Sequence, residues 1–496
     1  MGDAHSRLRS DLEALRDLPL FVAYNANVDA LVGVDADLEA FLDRPDGVPG
    51  ETTPPNRLTS KRDLATAITR TMAAGEGDEI AMSAELATLL EAELAPDREQ
   101  MGGQAGIMTN LLSALGAAPV VYTYLLSETQ LSMFDRPDAV RFPLVDDGRV
   151  RFVPLERATN TDRTKINWIF EFRKGAELFG VRADANTRFI AASRPSEFDL
   201  TADGLDPVVD QVGEAVDGAL LAGYHNLTRE NLDAPYEQVH RHARRVIRRL
   251  RSGGDVPVHV EYAVTHDEDL RRSMAEYILP EADVIGLDPR ELRLLGGDLG
   301  VDVAGVTIDS AEDATDAAGD ATDAAGGERG RDSTAILDHY RALSTVRERL
   351  GVPCIRMHAM DYHLAVTDDY LPADAVRRGL EFAAINAATK ASTGHVRAPE
   401  VLETGLEHPP SDAGRDAVRS LADRVGASAE DGAVCTPGVV ACPNRVVESP
   451  AGTVGIGDIV SSAAFALEVA IADGYDRGGR DDHDDRDDRG GRDDRE

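Results

Sequence analysis

Short apolar runs recur along this chain, each followed by a polar turn and then a helix-like pattern. "LPLFVAY" (18–24), "PVVYTYL" (119–125), "GALLAGY" (218–224), "VPVHVEYA" (256–263) and "ADVIGL" (282–287) read as buried strands. The stretches between them read as helices: "GGQAGIMTNLLSALG" (102–116), the arginine-rich run from Thr228 to the glycines at 253 and 254, and "DPRELRLLG" after 287. Alternation of this kind implies an α/β fold, with a parallel sheet, right-handed crossovers and helices on both faces. Ligands of such sheets sit at the carboxyl ends of the strands. The polar residues that stand out fall there: Asn25, Asn27 and Asp29, then His259 and Glu261, then Asp288 and Glu291.

One further stretch needs its own explanation. "SPAGTVGIGDIVSSAAFALEVA" (449–470) sets glycines at 452, 455 and 457 before Asp458 and an apolar helix pattern. The first turn of a helix has N–H groups without intrahelical acceptors, and its dipole favours negative charge, which suits a phosphate or a reacting anion. Asp458 as an ordinary N-cap explains the same residues equally well. Two other phosphate loops are excluded. Val460 stands where the dinucleotide fingerprint needs glycine, and none of Lys61, Lys165, Lys174 and Lys390 follows a glycine as a Walker loop requires.

The net charge of −37 over 496 residues argues against nucleic acid or an anionic membrane as a partner. With so few lysines, it suggests a protein kept soluble at high salt, where screening shortens carboxylate repulsion. Three cysteines, Cys354, Cys435 and Cys442, suit a reducing cytoplasm, and no apolar run or leader-like segment suggests a membrane span or secretion. One region runs against the charge. Between Arg163 and Arg194 seven cations face three anions, and the only tryptophan, Trp168, lies among them, so small phosphorylated ligands are the expected guests.

Local readings remain open at several places. Asn25, Asn27 and Asp29 would share a face if the first strand continued, forking onto sugar hydroxyls, though turn formation accounts for them too. Alternation in "VPVHVEYA" sends His259 and Glu261 to one side. A carboxylate at such a strand end can hold a hydrated magnesium ion. In "LDPRE", Asp288 as N-cap, Pro289 and Glu291 make a capping arrangement. In "MGGQAG", Gly102 and Gly103 would let backbone N–H groups approach a ligand, with Gln104 adding an amide. The repeat Asp313–Gly319, Asp320–Gly326 within 310–332 reads as an acidic low-complexity insertion, and 474–496 as a disordered acidic tail.

Together these elements resemble the archaeal ADP-dependent glucokinase and phosphofructokinase family of the ribokinase-like superfamily. The resemblance rests on "YNANVDA", "QMGGQAGIMTN", "KINWIFEF" (165–172), "NTRFIAASRP" (186–195), "AGYHNL" (222–227), "HVE" (259–261), "GLDPREL" (286–292), "RMHAMDYHLAV" (356–366) and "TVGIGD" (453–458), and spans the chain to about residue 473. It implies a large Rossmann-like domain carrying the nucleotide and a smaller α/β lid, here about 30–110 and 145–200, that closes over the sugar.

The resemblance also implies roles. Asp458 is the expected base, with the N–H groups of Gly455, Ile456 and Gly457 as an anion hole. Asn25, Asn27, Asp29, Gly103 and Gln104 are expected on the sugar, and Glu261, Glu291 and Asp458 near magnesium. The family's usual asparagine is Asp288 in this chain. Arg188 would meet donor phosphate and His358 the nucleotide. Lys165 resembles the lysine of sugar-phosphate-using members, and Asn167 stands where glucokinases usually carry histidine. Glu79, in "GDEIAMS", matches a glutamate that favours free glucose, so the two specificity markers pull apart. The expected activity is transfer of the ADP β-phosphoryl group to fructose 6-phosphate, with glucose as a second acceptor, by a monomer or small homo-oligomer. A glucokinase proper, an ATP-using ribokinase-type kinase and a non-catalytic sugar sensor are the rival readings.

Overall fold

The computed structural model describes residues 2–480 apart from 76, 194–203, 230, 231, 233, 264, 266, 308–334, 369, 431 and 453, with side chains also set aside at 2, 3, 430 and 473–480. The acidic insertion therefore lies outside the described residues, as do Arg194, Pro195 and Thr453 of the quoted motifs.

Two large sheets organise the chain. The first has twelve strands, and its parallel centre runs Ala118–Thr123, Pro19–Tyr24, Gly218–Leu221, Val258–Glu261, Val284–Leu287, Cys354–His358. Beyond Cys354–His358 the sheet turns antiparallel through Tyr362–Thr367 and Val439–Pro443. At the other end the hairpin Arg141–Asp146 and Arg149–Pro154 extends it. The central strands are apolar and buried on both faces, as helices covering both sides require.

A second sheet of six strands runs Arg57–Leu58, Asp78–Met82, Thr187–Ser193, Ile166–Phe172, Asn27–Gly33, Arg98–Gly102. It has its own core, in which Trp168, Phe170 and Phe189 pack with Leu64, Ile68 and Met72 of helix Lys61–Ala74. The ranges expected for a lid, 30–110 and 145–200, overlap this sheet but run past it. Helix Gln104–Leu115 packs on the last helix of the large sheet, and residues 149–154 belong to the large sheet's hairpin.

Two expected helix limits shift. The helix expected from Thr228 begins at Tyr236, after Pro235, whose ring fixes the backbone at the N-cap position. The final helix runs Ile456–Arg480, past the expected tail boundary at 473.

That final helix packs along Ala373–Thr393 and Gln104–Leu115. Its register on the sheet is held by a buried ion pair, with Arg356 Nη2 2.6 Å from both Glu468 oxygens and Tyr370 Oη donating to Glu468 Oε2 at 3.0 Å. A pair cut off from water is costly to break on one side only, because the remaining charge stays buried. Arg356→Met should therefore destabilise the protein by about 3–5 kcal/mol in chemical denaturation, and adding Glu468→Leu should restore much of that loss.

Candidate active site

The chain crosses between the two sheets at a few points, and the expected sugar residues lie on them. Strand Pro19–Tyr24 ends and strand Asn27–Gly33 begins with only Asn25 and Ala26 between. Strand Arg98–Gly102 is separated by Gly103 from the helix that Gln104 opens. Lys165 directly precedes strand Ile166–Phe172.

At this crossing a fully buried ammonium is enclosed by amides. Lys165 Nζ donates to Asn25 Oδ1 at 2.9 Å, and to Asn27 Oδ1 and Asn226 Oδ1 at 3.4 Å. Asn27 Nδ2 passes the chain of bonds to Asp29 Oδ1 at 2.7 Å. The first strand does not continue through Asn25, so only Asn27 and Asp29 share a strand face; Asn25 joins them through the lysine. Asn226 escaped the sequence reading, because a lone asparagine after a strand carries no signal of a partner 61 residues away.

Packing explains the two glycines beside this network. A Cβ on Gly102 would lie 2.0 Å from Asp29 Oδ1 and 2.4 Å from Asn27 Nδ2. Gly103, at φ +74°, would place one 2.5 Å from the Asn25 carbonyl oxygen. Their smallness lets the strand approach the asparagines, a different use from the ligand approach expected of them. Gln104 presents a buried Oε1 without a hydrogen-bond partner, and Asn167, in register beside Asp29, accepts from Ser193 N at 3.2 Å.

An open cleft of about 2390 Å³ is lined by residues from both sheets. Glu79 and Arg188 face it from the small sheet; Glu291, His358, Ile456 and Gly457 face it from the large one. Glu79 and Arg188 both lie within electrostatic reach of Asp29. The two specificity markers, Lys165 and Glu79, therefore act on one carboxylate with opposite effects, Lys165 lowering and Glu79 raising its pKa.

Asp458 sits in the first turn of the final helix, directly after Ile456 and Gly457, which line the cleft. Gly455 takes φ +75°, and a Cβ on Gly457 would lie 2.5 Å from His358 Nε2, so the glycine loop and the histidine fit against each other. Ala451 N donates to Ala391 O at 2.7 Å, which ties the incoming loop to the end of helix Ala373–Thr393. That helix carries Lys390, another residue sequence reading passed over. Its Nζ donates to Gly394 O at 2.8 Å, and its charge lowers the Asp458 pKa.

Burial first, then the charges of Glu261 and Asp29, push the Asp458 carboxyl well above the usual range. Burial also raises Glu291, joined by Asp288, Glu261 and Asp458. Glu291 completes the expected capping box, with its Oε2 accepting from Asp288 N at 2.7 Å and Asp288 Oδ1 accepting from Glu291 N at 2.7 Å. Carboxylates that oppose one another's ionisation suit a divalent cation. Among the described residues no three ligating side chains gather closely enough to chelate one directly. Glu291 and Asp458, both pushed up by burial and neighbouring carboxylates, are the groups whose charge a divalent cation would relieve.

Asp29 gives a pH test. Burial raises its pKa to about 7, against the opposing bond from Asn27 and the charges of Lys165 and Arg188, while Glu79 raises it further. A carboxyl raised in the folded state binds a proton that the unfolded chain has already lost. Its contribution is full below the unfolded pKa and disappears as pH rises through about 7. In denaturant titrations, Asp29→Asn should gain stability relative to the parent by about 2 kcal/mol between about pH 5.5 and about pH 8. A difference that does not vary with pH would contradict this.

Comparisons with known proteins show the family and the fold. The profile of the ADP-specific Phosphofructokinase/Glucokinase conserved region matches residues 18–467. An ADP-specific phosphofructokinase of Thermococcus zilligii is 30% identical over 488 residues, covering 94% of this chain and 98% of its own. An ADP-dependent glucose/glucosamine kinase of Pyrococcus furiosus is 26% identical, covering 92% and 96%. The solved structure of an ADP-dependent kinase complex with fructose-6-phosphate and ADPbetaS superposes with a TM-score of 0.79 at 27% identity, over 94% of this chain and 97% of that one. The chain belongs to the ADP-specific phosphofructokinase/glucokinase family, and its fold is ribokinase-like.

Proposed function

We propose that this chain transfers the β-phosphoryl group of ADP to the 1-hydroxyl of fructose 6-phosphate, releasing AMP, and accepts glucose as a second substrate. The observation that carries this reading is the place of Asp458, in the first turn of the final helix and within electrostatic reach of both Asp29, read as the sugar side, and Glu261, read as the cation side. In the transfer, the sugar oxygen gives its proton to the Asp458 carboxylate and forms a bond to the β-phosphorus. The bond from that phosphorus to the bridging oxygen breaks, and its electrons leave on AMP.

The protein's contribution is positioning and charge stabilisation. First-turn N–H groups at Gly455, Ile456 and Gly457 face the transferring group, and Arg188 and His358 line the nucleotide side. Gln104, Asn25, Asn27, Asp29 and Gly103 shape the sugar side. A hydrated magnesium ion, held through water by Glu261 and Glu291, would neutralise phosphate charge. The six-stranded sheet serves as the lid, since the cleft lies between it and the large sheet. The acidic, lysine-poor composition supports work in a salty cytoplasm, and no described helix is long and apolar enough to cross a membrane.

Asp458→Asn should lower kcat by about two to four decades while sugar binding and folding stay near the parent's, the usual worth of a positioned base. Near-parent turnover in the folded variant would remove Asp458 from the mechanism. Product analysis with ADP and ATP as donors separates this reading from an ATP-using kinase: AMP must accumulate with ADP.

Substrate choice gives a second test. Lys165 gains most from a sugar phosphate, whereas Glu79 favours a neutral hydroxyl and repels a phosphate dianion. Lys165→Ala should reduce kcat/KM for fructose 6-phosphate by on the order of 2–5 kcal/mol and affect glucose much less. Glu79→Ala should weaken glucose and spare the phosphorylated sugar. Equal scaling of both substrates by both variants would detach these residues from selection.

A further inference from the structure

Helix Ala373–Thr393 ends beside the loop that leads into the final helix. Gly394 closes it in the left-handed region, at φ +78°, and its N–H donates back to the Lys390 carbonyl at 2.8 Å. Lys390 also takes hold of the other side of this turn, with Nζ donating to the Gly394 carbonyl oxygen at 2.8 Å. One residue thus binds both backbone polar groups of the glycine.

The incoming loop rests on this turn. Ala451 N donates to Ala391 O at 2.7 Å, and a Cβ on Gly452 would lie 3.7 Å from Gly394 Cα. Ala387, Ala391, Ala451 and Gly452 all line the cleft. Further along, Gly455 takes φ +75° and its carbonyl accepts from Ile459 N at 3.1 Å, which sets the first turn that holds Gly457 and Asp458.

Two features set Lys390 apart from an ordinary cation at a helix C-terminus, which the last carbonyls and the dipole favour by themselves. Half-buried, it has no ion pair among the described residues, so the Gly394 carbonyl is what fixes its side chain. Burial first, then Arg98 and Arg397, disfavour its charge, against Asp135 and Asp29. The second feature is what lies on the turn: the loop that carries the expected anion-hole glycines, in place of solvent.

We infer that Lys390 is a positioning residue for phosphoryl transfer: by holding the Gly394 carbonyl it fixes the turn under Ala451 and Gly452, and through them the placing of the N–H groups at Gly455, Ile456 and Gly457 and of Asp458. The inference rests on the reading of that loop as the transfer site. Among the described residues Lys390 Nζ makes no hydrogen bond to Asn25, Asn27 or Asp29, so its loss acts on the transferring group and leaves the sugar side in place. A shift of about 1 Å caused away from the reacting atoms can cost about 100-fold in rate.

The test is steady-state kinetics with fructose 6-phosphate and ADP, with thermal unfolding to establish that each variant folds. Lys390→Met should lower kcat by about 10- to 100-fold while the sugar KM stays within about twofold of the parent's. Lys390→Gln, which keeps a donor for the carbonyl without the charge, should recover most of kcat. Native kcat in folded Lys390→Met overturns the inference, as does a loss carried by KM. A glutamine variant no better than methionine also overturns it, by assigning the effect to charge alone. If the methionine variant does not fold, Gly394→Ala decides, since a side chain at φ +78° strains the turn with Lys390 intact; native kcat there overturns the inference too. Parent-like turnover in Asp458→Asn would instead refute the transfer-site reading, and the positioning role with it.

Discussion

The Arg356–Glu468 ion pair sets the geometry on which the rest of the site depends. Arg356 lies on the strand that ends at His358, and Glu468 lies in the helix that begins beside Gly457. Pairing them deep in the core fixes the sliding register of helix on strand, and so brings His358 Nε2 to the space left by the missing side chain at 457. A purely apolar interface tolerates small slips because dispersion is non-directional. A buried pair does not, because either charge displaced from its partner stays without water. Phe465, on the same helix, reaches His259, so the one register also seats the histidine against Glu261.

Charge is sorted along the cleft in a way that suits a reaction between two anions. Carboxylates gather on the large-sheet side: burial and the charges of Asp288, Glu261 and Asp458 raise the Glu291 carboxyl, and burial and the charges of Glu261 and Asp29 raise that of Asp458. Positive charge is kept at the crossing between the sheets, where Lys165 is wrapped in amide oxygens. Asp458 feels carboxylates from both regions, Glu261 and Asp29, with Lys390 partly offsetting them. Amides suit the task of enclosing an ammonium, since their dipoles satisfy its hydrogens without cancelling its charge.

Much of the fold follows from patterns within one segment. Strands such as Pro19–Tyr24 and Gly218–Leu221 are legible because both faces are buried, and the capping box at Asp288 and Glu291 because all its parts lie within four residues. Asp458 could be placed at a helix start from "GIGD" alone. Limits were less legible: Pro235 rather than Thr228 precedes the helix Tyr236–Gly253, since a polar cap competes with other uses of its side chain, and Thr228 lines the cleft.

The sequence by itself determined the α/β class, the glycine loop at the final helix, the pairing of His259 with Glu261 on one strand face, and the family. Only the tertiary structure decided which distant groups meet. Lys165 joins Asn25 across 140 residues and Asn226 across 61, and Arg356 joins Glu468 across 112. It also decided why Gly102 and Gly286 are glycines, because the atoms that exclude a side chain come from other strands. Strand and helix periodicity record a residue's own burial and direction. They carry no information about which partner, brought by another crossover, stands opposite.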